Sequence, residues 1–114
     1  MPAPPAPRMT HPTKAVLTAL LSDPGREQYG LELGAAAGLP SGTIHPILAR
    51  LEAVGWLESR WENADPAETG RPRRRYYRLT ADGVVHAGAA LRRSEAAKAK
   101  IVARVRPGLA GGGA

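Results

Sequence analysis

The chain of 114 residues contains no cysteine and no phenylalanine, and its aromatic residues are two Trp and three Tyr. Without cysteine there are no disulfides and no thiolate metal ligands. With so few flat rings, a stacking platform for single-stranded nucleic acid has little to be built from, so a duplex is the better-suited polyanion. No apolar run reaches the roughly 18 residues of a membrane span. The first residues, Met1 to Pro12, are proline-rich and lack the apolar stretch of a signal peptide. No membrane partner is expected, and cytoplasmic residence is the simplest assignment.

What is present is positive charge: 16 Lys and Arg against 10 Asp and Glu, a formal net charge of +6. This favours a polyanionic partner. Abundant Ala, Gly, Pro and Arg also follow from GC-rich coding, so the positions of the charges must carry the argument.

The helical pattern starts at Thr13, where Val16, Leu17, Leu20 and Leu21 share a face, and stops at the breakers Ser22-Asp-Pro-Gly25. A shorter helix is expected over Leu31 to Ala37, with Leu31 and Leu33 available for packing and Gly38 at its end. A third helix is expected over Gly42 to Val54, with Ser41 as N-cap, an apolar stripe of Ile44, Ile47, Leu48 and Leu51, and Gly55 as the left-handed stop. Pro46 crowds the carbonyl four residues back, which belongs to the permissive Gly42.

Trp56 to Glu62 alternates as a half-buried strand, with Leu57, Ser59 and Trp61 on one face. Turn chemistry follows from Asn63 to Pro72, and Arg73 to Leu79 resumes strand character with Arg75, Tyr77 and Leu79 on one face. Thr80 caps a last helix running to about Arg104, with Val84, Ala87, Leu91, Ile101, Val102 and Val105 as its apolar positions. The fold class is therefore mainly α with a small β-hairpin: a winged helix-turn-helix plus a long C-terminal dimerisation helix. The expected organisation is a disordered arm over residues 1–12, a winged-helix domain over 13–83, a dimer helix over 84–106 and a disordered tail over 107–114.

In this arrangement the third helix presents Ser41, Gly42, Thr43, His45, Pro46 and Arg50 away from its stripe. Short donors and small residues near its N-terminus suit a major groove about 12 Å wide. Arg71, Arg73, Arg74, Arg75 and Arg78 cluster in the wing, where guanidinium groups bracket phosphates. Arg73 and Arg74 are the favoured phosphate contacts, and Arg75 shares a face with core residues. Glu62, Asp65 and Glu68 offer local counter-charges worth at most about 1 kcal/mol each when exposed. The bland alternatives are a core helix with a polar solvent face and a solvated charge run.

Tyr29-Gly30-Leu31-Glu32-Leu33, Ser41-Gly42-Thr43-Ile44-His45-Pro46-Ile47-Leu48, Arg50-Leu51-Glu52, Arg74-Arg75-Tyr76-Tyr77-Arg78-Leu79-Thr80 and Gly83, in that order, resemble the PadR family of transcriptional regulators over about half the chain. The resemblance implies a homodimer paired through its C-terminal helices and acting as a repressor on double-stranded DNA, released by a small-molecule effector. Two recognition helices about 34 Å apart imply a near-palindromic operator. His45 stands where the family usually carries Tyr, so base preference does not transfer. Some short members stack flat drugs on a tryptophan of the C-terminal helix, and residues 81–106 contain no aromatic side chain.

His11, His45 and His86 have no ligand spacing, and no nucleophile elbow, paired carboxylates or phosphate loop is present. Neither an enzyme nor a cofactor is expected. The rival function class is a winged-helix module whose basic wing meets an acidic protein partner.

Overall fold

A computed structural model describes residues 6–105, so the expectations for residues 1–5 and 106–114 lie outside the described residues. The elements are α1 (His11–Leu21), β1 (Gln28–Tyr29), α2 (Gly30–Ala37), α3 (Ser41–Ala53), β2 (Leu57–Trp61), α4 (Pro66–Thr69), β3 (Arg75–Leu79) and α5 (Ala81–Val105). The fold is a winged helix, mainly α, with a small antiparallel sheet and a long C-terminal helix.

The first helix starts two residues before the apolar pattern. Thr10 is its N-cap, accepting a hydrogen bond from the Thr13 N–H at 3.3 Å, and Pro12 sits in the first turn, where its missing N–H costs nothing. His11 and Pro12 therefore belong to α1 and not to the arm. The start of α3 is also shifted. Pro40 is its N-cap, with a carbonyl that accepts from the Thr43 and Ile44 amides, so Ser41 is the first helical residue and not the cap.

The core is built from Val16, Leu17 and Leu20 of α1, Leu33 of α2 and the four stripe residues of α3, closed by Trp56, Leu57, Tyr77 and Leu79. Leu31 does not join this packing; it is 74% exposed. Trp61 departs from the expectation for its face of the strand. Trp56 is buried just ahead of β2, whereas Trp61 is 56% exposed because its end of the strand projects beyond the helices into the wing.

The sheet has three strands in the order β1-β3-β2, not two. β2 and β3 form the expected hairpin, with Leu57 opposite Leu79 and Trp61 opposite Arg75, and β1 adds Gln28 opposite Tyr77 and Tyr29 opposite Tyr76. β3 begins at Arg75, leaving Arg73 and Arg74 in the segment that leads into it.

Thr80 caps α5, its hydroxyl accepting from the Gly83 N–H at 2.9 Å and donating to the Gly55 carbonyl at 2.7 Å. This draws the first turn of α5 onto the Trp56 carbonyl. A Cβ on Gly83 would lie 2.0 Å from that oxygen, so only glycine fits. The same approach corrects the assignment of α5. Ala87, expected at a dimer interface, is buried in the chain's own core together with Ala90, and Val84 and Leu91 pack against that core. Ile101, Val102 and Val105 are exposed beyond it. Among the described residues, no helix is long and apolar enough to cross a membrane.

Candidate nucleic-acid interface

Helices α2 and α3 meet at a tight turn. Gly38 closes α2 in the left-handed conformation at φ +70°, and the Leu39 N–H donates to the Gly34 carbonyl at 2.8 Å. A Cβ on Gly34 would stand 2.9 Å from the Leu39 carbonyl oxygen, so this glycine permits the turn to close. With Ile44, Ile47, Leu48 and Leu51 held in the core, the opposite face of α3 is turned out. Ser41, Gly42, His45, Pro46, Ala49 and Arg50 are exposed and Thr43 is half-buried. Arg50 has no ion pair among the described residues. The first amides of α3 lack intrahelical acceptors by position, leaving a partial positive charge at this end. Beside it, Gly30, Leu31, Gly34, Leu39 and Pro40 line an apolar groove of about 310 Å³ that continues the exposed surface.

The wing is more ordered than its turn-rich sequence implies. Asp65 caps the short helix α4 by accepting from the Ala67 N–H at 3.0 Å, Pro66 occupies its first turn and Gly70 ends it at φ +71°. Glu62 anchors the other side. It accepts two hydrogen bonds from the Arg71 guanidinium, at 2.7 and 2.8 Å, and a third from the Arg74 N–H at 3.1 Å. The Arg71 side chain, then the Arg74 amide, hold the Glu62 carboxyl down to about 2.

This pairing divides the five wing arginines. Arg71 is committed to Glu62. The Arg74 guanidinium lies over the Tyr29 ring, 4.0 Å from its centroid. Arg75 donates to Ser59 Oγ at 2.9 Å, reaches Glu52 at 3.6 Å and covers the Trp61 ring, in keeping with a structural role. Arg78 pairs with Glu58 across the sheet at 2.6 Å. Arg73 makes one bond, at 3.3 Å to the Ala64 carbonyl, and is the wing arginine without a carboxylate or aromatic partner among the described residues. Asp65 serves as a helix cap and not as a counter-ion. An open groove of about 810 Å³ runs along this wing past Trp61, Pro66, Pro72 and Arg73.

The structure thus gathers the expected α3 residues on one exposed face. It ties Arg71 and Arg74 internally, and it separates Ala87 from Ile101, Val102 and Val105. Glu62 is the local counter-charge that the sequence offers, and Arg71 is the arginine it takes; Tyr29 as a ring beneath Arg74 is not foreshadowed. The Asp65-Pro66 and Thr69-Gly70 pairs are readable signals for α4. No local pattern marks Tyr29 as an arginine's partner.

An exposed amphipathic helix seated against a second helix by a glycine turn, flanked by a hairpin with arginines at its tip, defines the winged helix-turn-helix class. The model of the transcriptional regulator PadR-like family matches residues 19–88. The chain belongs to that family. Among solved structures, it resembles a PadR family transcription regulator from Clostridium difficile with 21% identity and a TM-score of 0.63, covering 84% of this chain and 98% of that one. The protein smu.1704 from Streptococcus mutans is similar at 24% identity and a TM-score of 0.61, covering 82% of this chain and 89% of that one. A structure of overoxidized AbfR bound to DNA shares 21% identity and a TM-score of 0.59 over 89% of this chain and 71% of that one. At these identities the likeness is one of fold. No curated protein matches the chain.

Proposed function

We propose that this PadR-family regulator binds duplex DNA in a sequence-specific manner, as a homodimer on a near-palindromic operator, and represses transcription until a small-molecule effector releases it. The observation that carries the reading is the outward face of α3, whose polar groups are uncommitted while its apolar stripe is fully buried. Thr43 and His45 offer short donors for base edges, Ser41 and Gly42 present first-turn amides to a phosphate, and Pro46 keeps the helix surface low enough to enter a groove. Arg50 and Arg73 supply cations for phosphates on either side. Arg71 and Arg74 shape the wing and act on DNA through its position.

The homodimer rests on α5, where Ile101, Val102 and Val105 form an exposed apolar patch beyond the subunit's own core. Replacing Ile101 and Val105 by Asp is expected to convert a dimer into a folded monomer in sedimentation experiments and to weaken operator binding, because two half-sites are no longer engaged together. As a regulator of transcription the protein would act in the cytoplasm. The function is tested by selecting bound fragments from a genomic library with the purified protein. A few discrete sites with two-fold symmetry are expected; uniform recovery across the genome would overturn sequence specificity.

A further inference from the structure

Two constraints on the DNA-facing surface converge on adjacent residues that lie outside it. Tyr29 ends β1, paired with Tyr76, and its ring meets the Tyr76 ring edge-on at 5.9 Å. The Arg74 guanidinium lies over the Tyr29 ring at 4.0 Å, while the Arg74 N–H donates to Glu62, the carboxylate that also holds Arg71. The base of the wing is thereby referenced to Tyr29. The next residue, Gly30, opens α2 beneath His45 of α3. A Cβ there would lie 3.0 Å from His45 Cε1, 3.7 Å from Nε2 and 3.8 Å from Nδ1. The missing side chain of Gly30 therefore leaves the space that the imidazole edge occupies. The two residues are consecutive, one held by the β1–β3 pairing and the other in the first turn of α2, so the two contacts share one short stretch of backbone.

We infer that Tyr29 and Gly30 are positioning residues that set the wing and His45 in one register, making base preference at α3 depend on a cation–π contact in the wing. The inference rests on the DNA-binding reading above. Arg74 acts through Tyr29, and Gly30 acts through the His45 ring; neither has to touch DNA.

Gly30→Ala isolates one end of the link. The imidazole is the far end of a flexible side chain and gives way, while alanine favours the helix, so the thermal midpoint is expected to be unchanged or raised. The His45 Cε1–H resonance should move, and operator selection should change at the base beneath His45 with no change in the salt slope. Tyr29→Leu and Arg74→Ala isolate the other end. Each is expected to weaken operator binding about fivefold, the worth of one exposed cation–π contact. The double variant should be no weaker than either single one, and Tyr29→Phe, which keeps the ring face, should restore wild-type binding. Arg74→Ala should also shift the His45 resonance in the protein without DNA.

Additive losses for Tyr29→Leu and Arg74→Ala, or an unmoved His45 resonance in Gly30→Ala and Arg74→Ala, would overturn the link. The resonance is read in the absence of DNA, so the two readings fail separately. A wild-type protein that binds every duplex equally, with the His45 resonance still shifting, removes sequence reading and leaves the link. Selective wild-type binding with a static resonance removes the link and leaves the function.

Discussion

Arg50 and Arg71 are both expected at the DNA surface, and the structure treats them in opposite ways. Arg50 stands on the outward face of α3 with no ion pair among the described residues, whereas both terminal nitrogens of Arg71 are bound to Glu62. The contrast extends to their surroundings. On α3 the polar groups are left open by a helix whose other face is wholly occupied by the core. In the wing the carboxylates, the Tyr29 ring and the Trp61 ring engage four of the five arginines. A guanidinium whose charge is already offset by a carboxylate contributes less to neutralising a phosphate, so the number of positive charges in a loop overstates what is available for binding.

The Gly55–Trp56 turn leads from α3 into the wing, and Thr80 and Gly83 seat the start of α5 on that turn. Gly83→Ala sets a Cβ against a backbone oxygen that cannot move aside, and is expected to destabilise the fold by more than about 3 kcal/mol. Chemical denaturation reads this, and loss of helical signal at room temperature is the extreme outcome. An unaltered midpoint would show that the α5 start is not packed on Trp56.

His45→Ala and Arg50→Ala leave the core untouched and are expected to cost about 1–3 kcal/mol in operator affinity if each makes a specific contact, with little effect on affinity for random duplex in the case of His45. Competition binding against scrambled duplex separates the two terms. Equal losses on both duplexes for His45→Ala would remove that side chain from base reading.

The smallest effect concerns pH in the wing. The Arg71 guanidinium and then the Arg74 amide bind the charged form of the Glu62 carboxyl and hold it down to about 2, below the usual carboxylate value of about 4.3. A depressed folded value means the tie is fully present above the unfolded value and is lost as pH falls through the folded one. The wing should therefore keep its geometry down to about pH 4 and loosen towards pH 2. A carbon-detected titration of the Glu62 carboxyl checks this. In Arg71→Ala its midpoint should rise towards the ordinary range.

Much of this arrangement is legible in the residues. The α3 stripe and Gly55 are readable because a helix sheds its apolar side chains to one face and needs a left-handed stop, and all four stripe residues are buried. The structural role of Arg75 follows from strand alternation. β1 escapes because two residues carry no periodicity, and its existence depends on the edge that β3 offers. Ala87 is misassigned because an alanine on an amphipathic helix suits a partner's surface and its own subunit's core equally; the closeness allowed by Gly83 decides between them. Trp61 is misjudged because alternation identifies a face and not how far the helices extend beneath it. The outward residues of α3 were readable as a set, and so was Glu62 as a counter-charge to the wing, whereas the Arg74 contact arises from a ring 45 residues away.

The contrast between open and committed cations is tested most directly by the salt dependence of operator binding. Each phosphate contact adds about 0.9 to the slope of log affinity against log salt. Arg50→Ala and Arg73→Ala are expected to reduce the slope by about that amount each, while Arg71→Ala and Arg74→Ala lower affinity and leave the slope in place. Equal reductions in all four variants would contradict the account, since they would show that the wing releases its internal partners to meet DNA.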